Sequence, residues 1–448
     1  MRRVEKKSLG YAILRFCTGI VHRLTYKHIT VKGLENIPLN QPVILAANHQ
    51  NALLDALIII FTTRMQPVFL ARADIFKNRL VASILNYIKI APVYRIRDGK
   101  SSLEKNIEVF ENSVKILQNN KMLCLFPEGA HIGMKSMLPH KKAIPRIVFI
   151  AAESTNFEMD IQIVPVGISY NHYFRFRRSA VISYGEPIHS KNYYETYKEQ
   201  GESKASVELR DDLYAAIEKL MVNVPDKAYY DLFEQAFDMM TPYVCAKMDL
   251  GNVDKNFVVA GQYITQKLTE RIDEMPDEKD DWYKKALLYR KMKEKMNLTE
   301  RTLQLGQIGF FSLAKTFIVA FLLFPFAIYG ALANGWVFYL TRYPIRRIIK
   351  DKQFYSTFSY GFSAIVYPIW FIIQFFILMA IFDRGLIALI FVLISIPSGI
   401  LAWELGQMVT QSICRLKINN LIRSNDGSFN QLIALRTTLL NFYKQVLN

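Results

Sequence analysis

Cysteine is scarce in this sequence, with four residues in 448. Cys17, Cys124, Cys245 and Cys414 are widely scattered along the chain. No two of them have the short spacing of a zinc site or of a small secreted fold framed by disulfides. The sequence excludes both architectures and predicts reduced, structural thiols.

Acidic residues are also in the minority, with 39 against 56 basic residues and a net charge of +17. Such an excess indicates an anionic partner, which could be nucleic acid, anionic lipid or a phosphorylated substrate. The basic residues are not interleaved with aromatics on a recognisable nucleic-acid motif. Long uncharged stretches near the C-terminus favour lipid. We therefore expect a lipid bilayer as a partner, and no nucleic acid.

The first apolar run, Leu9 to Val21, lacks the features of a secretory signal, because Arg15 interrupts it and no small-residue cleavage site follows. Its apolar residues recur at helical spacing, while Arg15 and His22 fall on the other side. These residues are Leu9, Ile13, Phe16, Ile20 and Leu24. For residues 1–28 we expect an amphipathic helix in the membrane interface, or one packed on its own domain.

Residues 29–190 alternate short apolar, β-rich runs with helical patterns. The alternation predicts an α/β domain, a largely buried mixed sheet flanked by helices, with functional residues at strand ends. The predicted strands are 43–47, 67–71, 92–94, 122–126, 161–170 and 180–184. The predicted helices lie near 52–62, 75–89, 101–118 and 141–153. Residues 191–305 are densely charged and predict a solvated helical connector.

Residues 306–403 contain three uncharged stretches: Thr316 to Thr341, Gln353 to Phe382, and Gly385 to Trp403. Each is long enough to cross about 30 Å of hydrocarbon as a helix. Asp383-Arg384 would form a tight turn, so the last two stretches predict a two-helix hairpin.

The side of the membrane on which these stretches begin and end is constrained by charge. Five basic residues follow the first stretch, against one acid, and they favour the cytoplasm. They are Arg342, Arg346, Arg347, Lys350 and Lys352. If the α/β domain is also cytoplasmic, the first stretch cannot simply cross. Pro325, Gly330 and Asn334-Gly335 permit a re-entrant bend, which we expect in preference to a span, and residues 404–448 then form a cytoplasmic C-terminal helix.

Asn48-His49 follows the predicted strand 43–47, and Asp55 lies six positions beyond the histidine. A carboxylate that binds one ring nitrogen fixes the tautomer and stabilises the imidazolium formed when a hydroxyl proton is taken. The pair predicts a general base. Without further motifs, a histidine near an apolar run is more often a core residue.

Phe126-Pro127-Glu128-Gly129 also follows a predicted strand. His131 lies two positions after Gly129, and Lys141-Lys142 opens the following helix. Glycine allows close approach of a ligand, glutamate can bind a sugar-like hydroxyl, and lysines beside a helix N-terminus attract phosphate. The pattern indicates anion binding, or else a tight turn beside a solvated basic patch.

Two further blocks are Pro92-Val93-Tyr94-Arg95 and the Val-Pro strand that contains Pro165. An arginine at a strand end offers two parallel hydrogen bonds to a phosphate. Taken singly, Arg95 is typical of a surface ion pair and Pro165 of an edge strand.

Together and in this order, the four blocks resemble the PlsC-like phospholipid and glycerol acyltransferase family, over roughly residues 29–190. The resemblance implies an acyltransferase α/β domain that uses an acyl thioester, acyl-CoA or acyl carrier protein, with no cofactor and no metal. It implies His49 and Asp55 as the catalytic pair. The residues implied to bind the acceptor phosphate or glycerol are Arg95, Glu128, Gly129, His131, Lys141 and Lys142. Those implied in support are Asn48, Phe126, Pro127 and Pro165.

Five residues separate His49 from Asp55, where most members of that family have four, and His131 stands where Arg-Ser commonly follows Phe-Pro-Glu-Gly. Both departures resemble a glycerol-3-phosphate acyltransferase branch that includes fungal enzymes, and the chain looks like a bacterial member of it. The acceptor implied is glycerol 3-phosphate, with lysophosphatidate or another lysophospholipid as the alternative. The protein would be integral to a membrane such as the bacterial inner membrane, with its catalytic domain on the cytoplasmic face.

Two other classes of protein fit part of the pattern. A non-enzymatic membrane scaffold would explain the charge and the apolar stretches but not the ordered motifs. A metal-dependent hydrolase could use His49, Asp55, Glu128 and His131, but these residues lack a familiar metal-ligand spacing.

Overall fold

Residues 9–63, 65–76, 78–93 and 101–448 are described by the structure, a computed structural model. The chain divides into two compact units, one ending at Pro225 and the other running from Asp226 to Asn448. The sequence placed domain boundaries at residues 190 and 305 instead.

The described part of the first unit contains eight strands. They are β1 Tyr26–Lys32, β2 Val43–Ala47, β3 Val68–Arg72, β4 Ile90–Val93, β5 Met122–Leu125, β6 Gln162–Tyr170, β7 Arg178–Tyr184 and β8 Ile188–His189. They form a mixed sheet in the order β1-β7-β6-β2-β5-β3-β4, with β8 paired to β6. The predicted mixed α/β fold is thereby confirmed.

Six of these strands match the predicted ones within a few residues, and β1 and β8 were missed. β1 is an edge strand that pairs only with β7 among the described strands. Most of its residues are partly or fully exposed. It therefore lacks the continuous apolar run that identifies buried strands.

Parallel pairing joins β2 to β5 and β6, and β3 to β4 and β5. Alternate residues of β2 enter two separate apolar cores, because successive side chains point to opposite faces of a sheet. Ile44 and Ala46 belong to one core, and Leu45 to the other. The carboxyl ends of all five strands therefore meet at one edge of the sheet.

Among the residues that the structure describes in the first unit, seven helices flank this sheet. They are α1 Leu9–Thr25, α2 Leu53–Thr62, α3 Arg79–Tyr87, α4 Ser101–Gln118, α5 Ala143–Ser154, α6 Tyr194–Gln200 and α7 Glu202–Glu218. Leu209 and Leu213 of α7 are buried in the same core as Ile144 of α5. The unit extends beyond the predicted boundary at residue 190 because α7 covers one face of the sheet.

Among the described side chains of α1, Arg15 and His22 pack on the domain, whereas Phe16 and Ile20 face outward. Arg15 donates to the carbonyl of Thr63 at 2.6 Å, and the ring of His22 contacts Phe61 at 4.6 Å. Phe16 is 72% exposed, and Ile20 is also exposed. A helix that served only to cover a water-soluble core would have the opposite orientation, so the predicted interfacial role stays a prediction that this packing supports.

Nine helices form the second unit. They are α8 Tyr230–Lys247, α9 Val253–Glu274, α10 Lys279–Lys295, α11 Glu300–Leu305, α12 Phe310–Leu340, α13 Tyr343–Ile348, α14 Tyr355–Phe382, α15 Gly385–Arg423 and α16 Gly427–Leu447. The last helix packs against the first ones of the unit. Tyr443 donates to the carbonyl of Leu232 at 2.9 Å, and the rings of Phe442 and Trp282 stack at 3.9 Å.

Three helices, α12, α14 and α15, are long and apolar enough to cross a membrane. The predicted hairpin of α14 and α15 is present, with Asp383 in the left-handed conformation at its turn. α15 continues through Trp403 to Arg423, and α16 begins only at Gly427, so residues 404–448 are not one helix as the sequence suggested. Charge marks where an apolar stretch ends, but it does not end a helix.

Where the sequence predicted a re-entrant bend, α12 is continuous from Phe310 to Leu340, with Pro325 inside it. Neither Gly330 nor Asn334-Gly335 interrupts it. A break in the helix is therefore not how this segment would return to its starting side.

Candidate active site

Two of the sequence motifs lie side by side at the carboxyl edge of the sheet. β2 leads into Asn48-His49 and β5 leads into Phe126, and Ala46 pairs with Leu125 in the parallel register between them. The strand order thus brings together residues about 80 positions apart, as expected for strand ends in a parallel sheet.

His49 and Asp55 are in direct contact. Nδ1 of His49 lies 2.8 Å from Oδ2 of Asp55. The carboxylate is fully buried, whereas the imidazole is 17% exposed. Asp55 is in the first turn of α2, so the helix fixes the carboxylate and Nε2 remains as the ring nitrogen that can take a proton from a substrate.

Three further hydrogen bonds hold the Asp55 carboxylate. The backbone N–H groups of Gln50 and Asn51 donate to Oδ2 at 2.8 and 2.7 Å. The hydroxyl of Tyr170, at the end of β6, donates to Oδ1 at 2.8 Å. Burial raises the pKa of Tyr170 well above its usual value, so the hydroxyl stays protonated and remains a donor.

A buried cation packs on Tyr170, the tyrosine that donates to this carboxylate. The guanidinium of Arg178 is 5.1 Å from the ring centre of Tyr26 and 5.5 Å from that of Tyr170. Burial and the charge of Arg178 lower the pKa of His22 to about 3, so that histidine is neutral. The positive charge on this side of the site therefore comes from Arg178.

Asn48 ties the end of β2 to β6. Its Nδ2 donates to the carbonyl of Ile168 at 2.9 Å, and its Oδ1 accepts from the N–H of the same residue at 2.6 Å. These two hydrogen bonds join the end of β2 to β6. They therefore fix the position of His49, the next residue.

Glu128 is buried and bridges two loops. Its Oε1 accepts the N–H of His49 at 2.8 Å, and its Oε2 accepts the N–H of Leu138 at 2.9 Å. The carboxylate thus orients the loop that carries His49. Its sequence-derived role in binding the acceptor stays a prediction.

Other residues of the same motif surround the histidine ring. Phe126 stacks on His49 with ring centres 4.1 Å apart, and the ring of His131 lies 5.1 Å away. Gly129 has a φ of 64°, a conformation that favours glycine, in the turn where its N–H donates to Phe126. The motif shapes one wall around the candidate base.

Lys141 and Lys142 are exposed and stand at the N-terminus of α5. The N–H of Lys141 donates to the carbonyl of Pro127 at 2.7 Å, which joins the two parts of the predicted anion site. Two cations beside a helix N-terminus are suited to a phosphate.

The remaining two blocks have different outcomes. Arg95 lies outside the described residues, just beyond the end of β4 at Val93. Pro165 is in β6, an interior strand, so the edge-strand interpretation was wrong. The missing N–H is tolerated because the antiparallel partner of β6 changes from β8 to β7 between Ile163 and Val166.

Sequence reasoning missed Tyr170 and Arg178 and assigned no role to Gln50 or Asn51. The signal for Tyr170 was its place at the end of the Val-Pro strand, at the same edge as His49. For Arg178 no sequence signal was available, because its neighbours come from other strands.

Comparisons with known proteins identify similar sequences. Residues 28–169 match the family described as Acyltransferase. The chain is 32% identical over 125 residues to glycerol-3-phosphate O-acyltransferase 2 of Saccharomyces cerevisiae, covering 27% of this chain and 16% of that protein. It is 27% identical over 120 residues to glycerol-3-phosphate O-acyltransferase 1 of the same yeast, covering 26% and 16%. It is 30% identical over 119 residues to an uncharacterized acyltransferase of Schizosaccharomyces pombe, covering 26% and 18%.

The chain thus spans less than a fifth of the length of these fungal relatives. Among solved structures, the 1-acyl-sn-glycerophosphate acyltransferase PlsC from Thermotoga maritima is 18% identical, with a TM-score of 0.31 over 43% of this chain and 78% of that one. The family match covers the sheet edge that carries His49, Asp55 and Glu128. This part of the chain is therefore similar to the family described as Acyltransferase.

Proposed function

We propose that this protein is a membrane-bound O-acyltransferase that transfers a fatty acyl group from an acyl thioester to glycerol 3-phosphate in phospholipid synthesis. The observation that carries the proposal is the His49–Asp55 pair, held by four hydrogen bonds to the carboxylate at the edge of the sheet. Glycerol 3-phosphate is preferred to lysophosphatidate because of the spacing of this pair and the names of the yeast relatives.

The reaction needs one general base. Nε2 of His49 takes the proton of an acceptor hydroxyl as its oxygen attacks the thioester carbonyl, and Asp55 stabilises the imidazolium that results. Collapse of the tetrahedral intermediate breaks the carbon–sulfur bond, and the proton passes from His49 to the departing thiolate. An ester and a free thiol are formed, with no covalent acyl-enzyme.

The oxyanion of that intermediate needs hydrogen-bond donors. The N–H groups of Asn48 and His49 donate to Val166 and Glu128, and those of Gln50 and Asn51 donate to Asp55. These four N–H groups are therefore already hydrogen-bonded, so the donors to the oxyanion must be other groups.

The test offers acyl-CoA and acyl carrier protein donors with glycerol 3-phosphate and lysophosphatidate acceptors to the protein in detergent, followed by analysis of lipid products. His49→Ala should lower the rate by ~10²–10⁴, the usual contribution of a positioned general base. Its melting curve should resemble that of the unsubstituted protein.

His189→Ala is a matched control, because Nδ1 of His189 lies 2.8 Å from Asp160 Oδ2 in a second, more exposed histidine–carboxylate pair. It should leave turnover unchanged. Near-normal turnover in folded His49→Ala protein would contradict the mechanism.

The cytoplasmic face is part of the proposal, because acyl thioesters are made in the cytoplasm and the basic segment after α12 resists translocation. The apolar surfaces of α12, α14 and α15 would contact the acyl chains of the bilayer. Membrane attachment would keep the domain close to its lipid product.

A further inference from the structure

The loop from His49 to Asp55 contains polar groups that the fold leaves unused. Gln50 and Asn51 are 2% and 1% exposed. Among the described residues, Nε2 of Gln50 and both Nδ2 and Oδ1 of Asn51 have no hydrogen-bond partner. Buried amides are almost always hydrogen-bonded, so two exceptions in sequence indicate a binding role for these side chains.

Backbone strain occurs at the next residue. Ala52 has a φ of 45° and a ψ of −126°, a conformation that residues with a Cβ rarely adopt. Unusual backbone geometry concentrates at ligand-binding and catalytic sites, where surrounding contacts enforce it. Three consecutive residues beside the candidate base are thus held in a state that is costly for the free protein.

The open groups define what could bind to them. Oε1 of Gln50 already accepts from the hydroxyl of Tyr173 at 2.7 Å, so Gln50 offers only its NH₂ donor. Asn51 offers both an NH₂ donor and a carbonyl acceptor. An oxyanion or a phosphate would use donors alone, whereas an alcohol hydroxyl, which both donates and accepts, matches the pair.

We infer that Gln50 and Asn51 bind a second hydroxyl of the acceptor, adjacent to the one that His49 deprotonates. The inference rests on the proposed acyl transfer and assigns its substrate class: a phosphorylated polyol with two neighbouring free hydroxyls. Glycerol 3-phosphate has both. Lysophosphatidate has only the reacting hydroxyl and would leave the two amides unpaired.

The test compares glycerol 3-phosphate with 1,3-propanediol monophosphate, which lacks the middle hydroxyl. The unsubstituted protein should prefer glycerol 3-phosphate by roughly tenfold or more in kcat/KM, because a site built to bind a hydroxyl rejects an analogue without one. Asn51→Ala should lose about that factor on glycerol 3-phosphate and change little on the analogue. Equal losses on both acceptors would overturn the inference.

Stability separates this role from a structural one. Removing an unpartnered buried amide should leave the melting temperature of Asn51→Ala unchanged or raise it, whereas a structural asparagine would lower it. Asn36→Ala is the control, because its Nδ2 donates to the carbonyl of Tyr184 at 3.0 Å. That variant should melt lower and keep the preference between the two acceptors.

Two other outcomes have distinct meanings. Acylation of lysophosphatidate but not of glycerol 3-phosphate would overturn the inference and leave the acyltransferase proposal intact. Absence of any acylation would refute the proposed function. Calorimetric titration with glycerol 3-phosphate and with the analogue, in the absence of an acyl donor, then tests the inference separately. Equal affinities for the two compounds would overturn it.

Discussion

A tyrosine from a distant strand contacts the proposed catalytic pair. Tyr170 is 115 positions from Asp55, and its hydroxyl donates to the carboxylate oxygen that does not face His49. By restricting rotation of the carboxylate, this bond keeps the other oxygen aligned with the imidazole. Tyr170 is therefore a positioning residue that acts through Asp55.

Tyr170→Phe should lower kcat by about ten- to a hundredfold, the effect of losing roughly 1.5–3 kcal/mol from a hydrogen bond to a charged group. The KM for acceptor and donor should hardly change, because the hydroxyl does not touch either substrate in this mechanism. Steady-state kinetics with each substrate varied in turn measure both constants.

The control for this variant is Tyr184→Phe on the neighbouring strand β7. The Tyr184 hydroxyl is also buried, and it lies 2.7 Å from Oγ1 of Thr62, away from Asp55. Its loss should lower the melting temperature with little effect on kcat. Equal kinetic effects of the two substitutions would show that Tyr170 acts only through the stability of the fold.

Among the helices, α12 and α15 approach each other unusually closely. A Cβ built on Gly330 would lie 2.1 Å from the backbone of Ser398, so only glycine fits. Small residues allow this kind of contact between membrane helices, where packing replaces the hydrophobic effect. Asn334 adds a hydrogen bond to the carbonyl of Ser395 at 2.8 Å.

Gly330→Val should therefore destabilise the helix pair, by about 1–3 kcal/mol or more, because backbone atoms cannot move aside as side chains can. Gly335→Val is the control on the same helix, since a Cβ at Gly335 meets nothing within 4 Å. Thermal unfolding in detergent compares the two variants. Equal melting temperatures would contradict the close contact.

The order in which residues of α12 contact residues of α15 changes along α12. Thr316 lies 3.2 Å from Ser412, and Gly330 lies beside Ser398, so the first part of α12 runs antiparallel to α15. A straight continuation would bring Phe338 level with residue 390.

Phe338 instead contacts Trp403, with ring centres 5.2 Å apart, although residue 403 is about 20 Å from residue 390 along a helix. Ala333 accepts a hydrogen bond from Trp370 of α14, at a similar level. The last turns of α12 thus do not advance along α15. The re-entrant path of this segment stays a prediction.

At the scale of the second unit, the packing of its two ends limits the number of membrane crossings. Arg436 of α16 donates two hydrogen bonds to the buried carboxylate of Glu300, which lies shortly before α12. The segments before α12 and after α15 therefore belong to one folded body, which we expect on one side of a membrane. We then expect an even number of crossings between them, and α14 with α15 would supply two.

Cysteine labelling on a cysteine-free background tests this arrangement. Probes at Glu270, Lys350 and Ser424, all exposed, should react from the same side, and a probe at Arg384 from the opposite side. A probe at Lys350 that reacts only together with the one at Arg384 would mean that α12 crosses the membrane completely.

The sequence by itself determined the strands with continuous apolar runs, the order of the four motifs, the pairing of His49 with Asp55, and the positions of the three long apolar stretches. These features depend on residues close together in the chain, where periodicity and spacing carry the information. The edge strand β1 was not predicted because most of its residues are partly or fully exposed.

Only the tertiary structure decided which distant groups meet. The hydroxyl of Tyr170 at Asp55, the Glu128 bridge to the N–H of His49, and the reversal of contacts between α12 and α15 join residues separated by about 60 to 115 positions. No local pattern encodes such contacts, because they follow from strand order and helix packing. For the same reason, the unpaired amide of Asn51 became visible only when every neighbour in the fold was accounted for.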